Sequence, residues 1–173
     1  MNRDQGGAQL SLPFLSRCLD ELLRRLAFEP RVMVGHSAGS AIVAQLACDR
    51  TSPPAALVSF NGAFFPFGGS LYPLHRGVAR WMDRRPRAAR LISGWARRGR
   101  NVQRTLQETG SELAPEAVAR YQALASSPRH VGAALSMMAH WDLDPLLRSL
   151  PSLSSRLLAV AGRADRAVAP TES

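Results

Sequence analysis

The feature that most constrains the fold is a Gly-x-Ser-x-Gly motif, Gly35 to Gly39, set between a short apolar run and a segment with helical periodicity. The residues before it are typical of a buried parallel strand. Those after it place apolar side chains on one helical face. The flanking residues that carry this pattern are Val32, Met33 and Val34, then Ile42, Val43, Leu46 and Ala47. The pattern predicts a nucleophile elbow, in which Ser37 projects from a strained strand-to-helix turn.

The motif's other residues are assigned to the turn itself. We expect a positive φ at Ser37 and a close approach of the neighbouring backbones, so that side chains at Gly35 and Gly39 would both clash. His36 is the remaining elbow residue.

The chain as a whole predicts an α/β fold with three parallel strands. Leucines at three- and four-residue spacing predict a first helix from about Ser11 to Ala27, and buried strands are expected at about 31–34, 55–60 and 156–161. Helical patterns, several opened by proline, fill the region between the second and third strands. We therefore predict a core over 1–63, a helical insertion over 64–151 and a resumed core over 152–173.

The composition argues against a disordered chain. Hydrophobic residues are 46% and charged residues 20%, as in ordinary globular proteins. The sequence shows neither a signal peptide nor a long apolar span, which favours a cytoplasmic location. Cys18 and Cys48 lack metal-ligand spacing and are expected to be buried free thiols, and we predict no metal or cofactor site.

All 22 basic residues are arginine, and ten of them lie between Arg76 and Arg104 with Asp83 as the single acid. This segment thus carries a charge equal to the net +9 of the chain. Three interpretations stay open: a solvated helical face, contact with an anionic partner or membrane surface, and binding of an acidic ligand. The candidate contacts are Arg84, Arg85, Arg87, Trp81 and Trp95. Nucleic acid is not expected, because no binding module accompanies the charge.

Asp165 follows the third predicted strand, just as Ser37 follows the first. Parallel sheets place their sites at the carboxyl ends of the strands. An acid there orients a catalytic histidine, although an aspartate at such a place is equally typical of a simple turn.

Four segments together carry a family resemblance: Gly35 to Ile42, Asn61 to Gly69, Thr109-Gly110-Ser111 and His130 to Leu143. They resemble the α/β-hydrolase family, and within it the magnesium-chelatase accessory proteins of bacteriochlorophyll synthesis. The resemblance implies a partial α/β-hydrolase core with an inserted helical cap, and an accessory role in magnesium insertion into protoporphyrin with chelatase subunits as partners. It also implies Ser37 as nucleophile, Asp165 as orienting acid and the Ala38 N–H as an oxyanion donor.

The family pattern also has parts that this sequence lacks. An oxyanion loop normally precedes the elbow, but only 36 residues precede Ser37, and none of the four histidines follows Asp165. We therefore interpret the chain as a fragment. Two other functions stay open: a general serine hydrolase acting on a small acyl substrate, and a non-catalytic module that binds an anionic tetrapyrrole or the chelatase.

Overall fold

The computed structural model describes residues 10–65, 72–98, 100–110 and 113–165, with the backbone alone for 72–76 and 86. In chain order its elements are α1 (Leu12–Arg25), β1 (Val32–His36), α2 (Ala38–Asp49), β2 (Ala56–Phe60), α3 (Tyr72–Asp83), α4 (Pro86–Ala96), α5 (Asn101–Glu108), α6 (Pro115–Ala125), α7 (Pro128–His140), α8 (Asp144–Ser149), a 3-10 turn (Leu150–Ser152) and β3 (Arg156–Val160). The predicted α/β class is confirmed, and the strand positions agree with the expected ones to within two residues.

The three described strands form one parallel sheet in the order β1-β2-β3. Val34 pairs with Val58, and Val58 pairs with Leu158, so these three residues lie in one row on one face. The carboxyl ends of all three strands consequently meet at the same edge, which brings the segments after His36, Phe60 and Val160 together.

Helices cover the opposite face of this sheet. α2 packs on β1 and β2, and both α1 and α8 pack on α2. The core between them contains Leu12, Leu46, Leu57 and Leu146, which are almost completely buried, and Met33 of β1. Alternation along a strand sends Met33 and Leu57 into this core and their chain neighbours to the other side.

The expectation of strands buried on both faces is wrong. Val32 and Val34 are 51% and 61% exposed, and every residue of β3 is exposed. The reason is that an apolar run predicts two covered faces, whereas α2 packs on one face of β1 and β2, and β3 packs chiefly on β2. Cys18 is also exposed rather than buried, while Cys48 is partly buried.

The helices between β2 and β3 form a second packed group. α3 and α4 both pack on α7, and α5 packs on α6. Two arginines also link parts of this group, because Arg80 Nε donates to the Ala139 carbonyl at 3.1 Å and Arg97 Nη2 donates to the Ser126 carbonyl at 2.8 Å. The division of the chain into core and cap stays a prediction. None of the described helices is long and apolar enough to cross a membrane.

Candidate active site

Ser37 occupies the turn between β1 and α2 with φ 53° and ψ −124°. A positive φ is uncommon for a residue with a side chain and marks a strained backbone, as the motif predicts at this position. Ala38 is the first residue of α2, and its N–H makes no hydrogen bond to the described residues. The turn therefore leaves a backbone donor at a helix N-terminus next to the serine.

The two glycines of the motif differ in their surroundings. A Cβ on Gly35 would lie 2.5 Å from Ser40 Cα and 2.8 Å from Gly39 C, so α2 approaches β1 too closely for any side chain there. A Cβ on Gly39 would meet nothing within 4 Å. The expected clash is therefore present at Gly35 and wrong at Gly39, because Gly39 lies in the first turn of α2 with its Cβ direction toward open space.

Backbone hydrogen bonds join the ends of the three strands. The Ser37 N–H donates to the Phe60 carbonyl at 3.0 Å, and the Ala63 N–H donates to the Ser37 carbonyl at 3.2 Å. The Asn61 N–H donates to the Val160 carbonyl at 2.8 Å. The serine turn is thus held against the segment that follows β2, and that segment is held against β3.

Asn61 also fixes the turn that carries Asp165. Its backbone has φ 44°, and its Oδ1 accepts the Gly162 N–H at 2.7 Å. The Asp165 N–H donates to the Gly162 carbonyl at 3.1 Å and closes the turn. Asn61 is therefore the side chain through which the β2 end positions the acid turn.

A cavity of about 580 Å³ opens at this edge of the sheet. Ser37, Asp165 and His36 line it, together with residues from the loops after β2 and β3 and from α5 and α6. The other lining residues are Asn61, Leu106, Thr109, Gly110, Tyr121, Gly162, Arg163 and Ala164. The two predicted catalytic residues therefore face the same cavity, whose far wall is built by α5 and α6, which lie between β2 and β3 in the chain.

The remaining predicted contacts lie outside this cavity. Arg84, Arg85, Arg87, Trp81 and Trp95 are exposed on α3, on α4 and between them, and none belongs to the cavity lining. Among the other histidines, His130 is exposed and His140 has its Nδ1 2.8 Å from the Ser136 carbonyl, while the side chain of His75 lies outside the described part. His36 is thus the histidine that the described structure places at the cavity.

A second cavity, of about 850 Å³, lies at the opposite ends of the strands. Its lining includes a cluster of ion-paired side chains. Arg50 donates from Nε to Asp20 at 2.8 Å and from Nη1 to Glu29 at 3.1 Å. The hydrogen bond from Arg50 holds the pKa of the Asp20 carboxyl below its ordinary value. Since Arg50, Asp20 and Glu29 pair with one another, this cavity is a poorer candidate for chemistry. The described residues contain no group of His, Cys, Asp and Glu that could hold a metal ion.

Sequence reasoning did not assign Asn61, Leu106, Tyr121 and Arg163 to the site. Two parts of the lining did carry a sequence signal. Asn61 and Thr109-Gly110 belong to the motifs that carry the family resemblance, and both line the cavity. Leu106 and Tyr121 had no local signal, since their place depends on how α5 and α6 pack. The motif residues 66–69 and Ser111 lie outside the described residues.

The chain is similar to known proteins. Magnesium-chelatase 30 kDa subunit of Rhodobacter capsulatus is 33% identical over 167 residues, which are 96% of this chain and 58% of that protein. The chain thus spans a little over half the length of this relative. An α/β-hydrolase-fold protein from Nakamurella multipartita aligns with 95% of this chain and 62% of its own, at 17% identity and a TM-score of 0.43. The family model for the alpha/beta hydrolase fold matches residues 4–173, and the chain therefore belongs to the α/β-hydrolase family.

Proposed function

We propose that this protein is an α/β-hydrolase-fold accessory protein for magnesium insertion into protoporphyrin during bacteriochlorophyll synthesis. The observation that carries the proposal is the 33% identity, over 96% of the chain, to a relative named as a magnesium-chelatase subunit. Chelatase subunits are accordingly the proposed protein partners.

Within this function, the proposed chemical group is the Ser37 hydroxyl. Attack of Ser37 Oγ on an acyl carbonyl would give a tetrahedral oxyanion, with the serine proton passing to a base and later to the leaving group. The Ala38 N–H is the proposed donor to that oxyanion, and Asp165 is the proposed acid that orients the base. The strained φ of 53° at Ser37 supports this assignment, because strain of this kind is stored at functional turns.

The cavity composition supports an anionic ligand with an apolar body. Arg163 lines it, and a guanidinium binds carboxylates such as the propionates of a tetrapyrrole in a bidentate manner. Tyr121 and Leu106 give the opposite wall aromatic and aliphatic surface against which a ring could lie. A small acyl ester is the alternative occupant.

Two other functions have an observation in their favour. A general serine hydrolase is favoured by the shared position of Ser37 and Asp165 at one cavity. A non-catalytic binding module is favoured by the cavity lining, because Arg163, Leu106 and Tyr121 could hold an anionic ligand with no chemistry at Ser37.

The test combines covalent labelling with magnesium insertion in the full-length protein. A fluorophosphonate probe should label Ser37, and Ser37→Ala should abolish both labelling and stimulation of magnesium insertion into protoporphyrin. Ser40→Ala is the matched control, because Ser40 is a buried serine one turn further along α2. Labelling with no effect of Ser37→Ala on insertion would support the general hydrolase, and unlabelled protein with insertion intact in Ser37→Ala would support the binding module.

A further inference from the structure

The outer face of α4 combines cationic and apolar side chains in one stripe. Arg87, Leu91 and Trp95 follow at four-residue spacing, with Arg90 beside them and Arg98 in the next turn, and all five are exposed. Leu91 is 73% exposed and Trp95 52%. Because residues three and four apart share a helix face, these side chains form one continuous surface.

The other face of α4 explains why this stripe points outward. Ser93 and Ala96 are 1% exposed, and Ala89 Cβ lies 3.7 Å from the position that a Cβ on Gly132 of α7 would take. Small residues thus pack α4 against α7, and the large apolar residues Leu91 and Trp95 are left on the opposite side. The described residues therefore leave most of Leu91 and about half of Trp95 uncovered.

The end of α3 extends the surface. Trp81 is 57% exposed, and the Arg85 guanidinium carbon lies 4.3 Å from the centroid of its ring. Arg84 is exposed beside them. We define the arginine–tryptophan surface as Trp81, Arg84, Arg85, Arg87, Arg90, Leu91, Trp95 and Arg98.

The charge of this surface is not neutralised within the described structure. Four arginines of the surface make no side-chain hydrogen bond or ion pair with described residues: Arg84, Arg87, Arg90 and Arg98. By contrast, Arg80 and Arg97 donate to backbone carbonyls. Asp83 is the single acid between residues 76 and 104. Unpaired guanidinium groups around exposed aromatic and aliphatic side chains match a partner that is both anionic and apolar.

We propose that the arginine–tryptophan surface docks on a bilayer that contains anionic phospholipid, with α4 lying in the headgroup region. Arginines would contact lipid phosphates while Leu91 and Trp95 enter the boundary of the acyl chains. Leu91 is the most exposed large apolar residue of the described part of the chain, and its position on the same stripe as the cations favours a bilayer over an acidic protein. No residue of this surface lines the Ser37 cavity, so docking leaves that cavity accessible and does not depend on its chemistry.

Vesicle sedimentation tests the charged part. The full chain should bind phosphatidylcholine vesicles that contain about one-third phosphatidylglycerol, should not bind phosphatidylcholine alone, and should be released by salt. Arg87→Glu/Arg90→Glu should weaken binding at least about tenfold. Arg17→Glu/Arg148→Glu is the matched control, because it makes the same change in net charge with exposed arginines on α1 and α8. Equal weakening by both pairs would overturn the proposal, since binding would then report net charge alone.

The apolar part has its own test. Leu91→Ser/Trp95→Ser should also weaken vesicle binding about tenfold or more, and Leu22→Ser/Leu124→Ser, which alters exposed leucines of α1 and α6, should not. Circular dichroism confirms that each variant is folded. Vesicle binding that needs the arginines but is unchanged in Leu91→Ser/Trp95→Ser would overturn docking in the bilayer and would point to an acidic macromolecule.

Discussion

A methyl group added at Gly35 would collide with the backbone of α2, whereas one added at Gly39 would meet nothing within 4 Å. We expect Gly35→Ala to lower the free energy of unfolding by about 3 kcal/mol, because Ser40 Cα cannot move without displacing the helix. Gly39→Ala should raise it by about 0.5 kcal/mol, since alanine is the better helix former. Urea denaturation of the two variants measures both effects, and equal losses would contradict this difference between the two positions.

Substitutions at Asn61 can separate the effect of its backbone conformation from the effect of its side-chain hydrogen bond. Its φ of 44° suits asparagine and glycine, and its Oδ1 accepts the Gly162 N–H. Asn61→Gly therefore keeps the backbone conformation and removes the acceptor, while Asn61→Asp keeps an acceptor. We expect hydrogen exchange at the Gly162 amide to accelerate about tenfold in Asn61→Gly and to remain slow in Asn61→Asp. Unchanged exchange in the glycine variant would show that the acid turn is held by other contacts.

The two cysteines differ in their surroundings, and we expect this to make their reactivity differ. Burial raises the pKa of the Cys48 thiol, whereas Cys18 is exposed on α1. Because the thiolate is the reactive form, we expect iodoacetamide at pH 8 to modify Cys18 several-fold faster than Cys48 in the native chain. Mass spectrometry of time points reads both sites, and Cys18→Ser is the control that isolates the slow site. Equal rates in denaturant and unequal rates in buffer are the expected pattern.

At the scale of elements, Arg50 joins α1 to the segment that leads into β1. Its side chain is 12% exposed and reaches both Asp20 and Glu29, whereas Arg25 bonds Glu21 on the open surface of α1. Arg50→Met should cost about 1–2 kcal/mol of unfolding free energy, and Arg25→Met less than about 0.5 kcal/mol. Chemical denaturation at neutral pH measures the pair.

The same contact has a pH dependence whose sign follows from Asp20. Its pKa is lowered in the folded state, chiefly by the hydrogen bond from Arg50, so its stabilising contribution is present above the unfolded pKa. That contribution is lost as pH falls from about 5 through the acid range. Asp20→Asn should therefore be less stable than wild type at pH 7 and should show a shallower loss of stability below pH 5. A parallel pair of curves would contradict the assignment.

The sequence predicted the elements well because their signals are local. Leucine spacing placed α1, and Pro115, Pro128 and Pro145 placed the starts of α6, α7 and α8, whereas Pro86 was interpreted only as a break in the helical pattern. The burial of Val34 and Leu158 was mispredicted, because a β-strand's burial depends on what packs on each face, which no local pattern contains. The same distinction holds for the candidate site. The ends of the predicted strands placed Ser37 and Asp165, whereas Tyr121 reaches the cavity only through the packing of α6.

At the scale of the whole molecule, the described sheet exposes apolar side chains on one of its faces. Val32, Val34, Phe60, Leu158 and Val160 present exposed apolar surface on one face, and β1 and β3 are both edge strands of the described sheet. Exposed apolar patches and uncovered edges favour association. We therefore expect the chain of 173 residues, expressed by itself, to self-associate as its concentration rises, and sedimentation velocity to show this.

Threonine substitutions on the two faces of the sheet test whether that association uses the open face. Val34→Thr/Leu158→Thr keeps side chains that strands tolerate while removing apolar surface from one row of the open face, so the association midpoint should rise about tenfold with the unfolding transition little changed. Leu57→Thr makes a similar change on the covered face, where the residue is 1% exposed, and should instead cost about 2–4 kcal/mol of stability. If Val34→Thr/Leu158→Thr left association unchanged, another surface would be responsible. The arginine–tryptophan surface could then be examined in the same instrument with Leu91→Ser/Trp95→Ser.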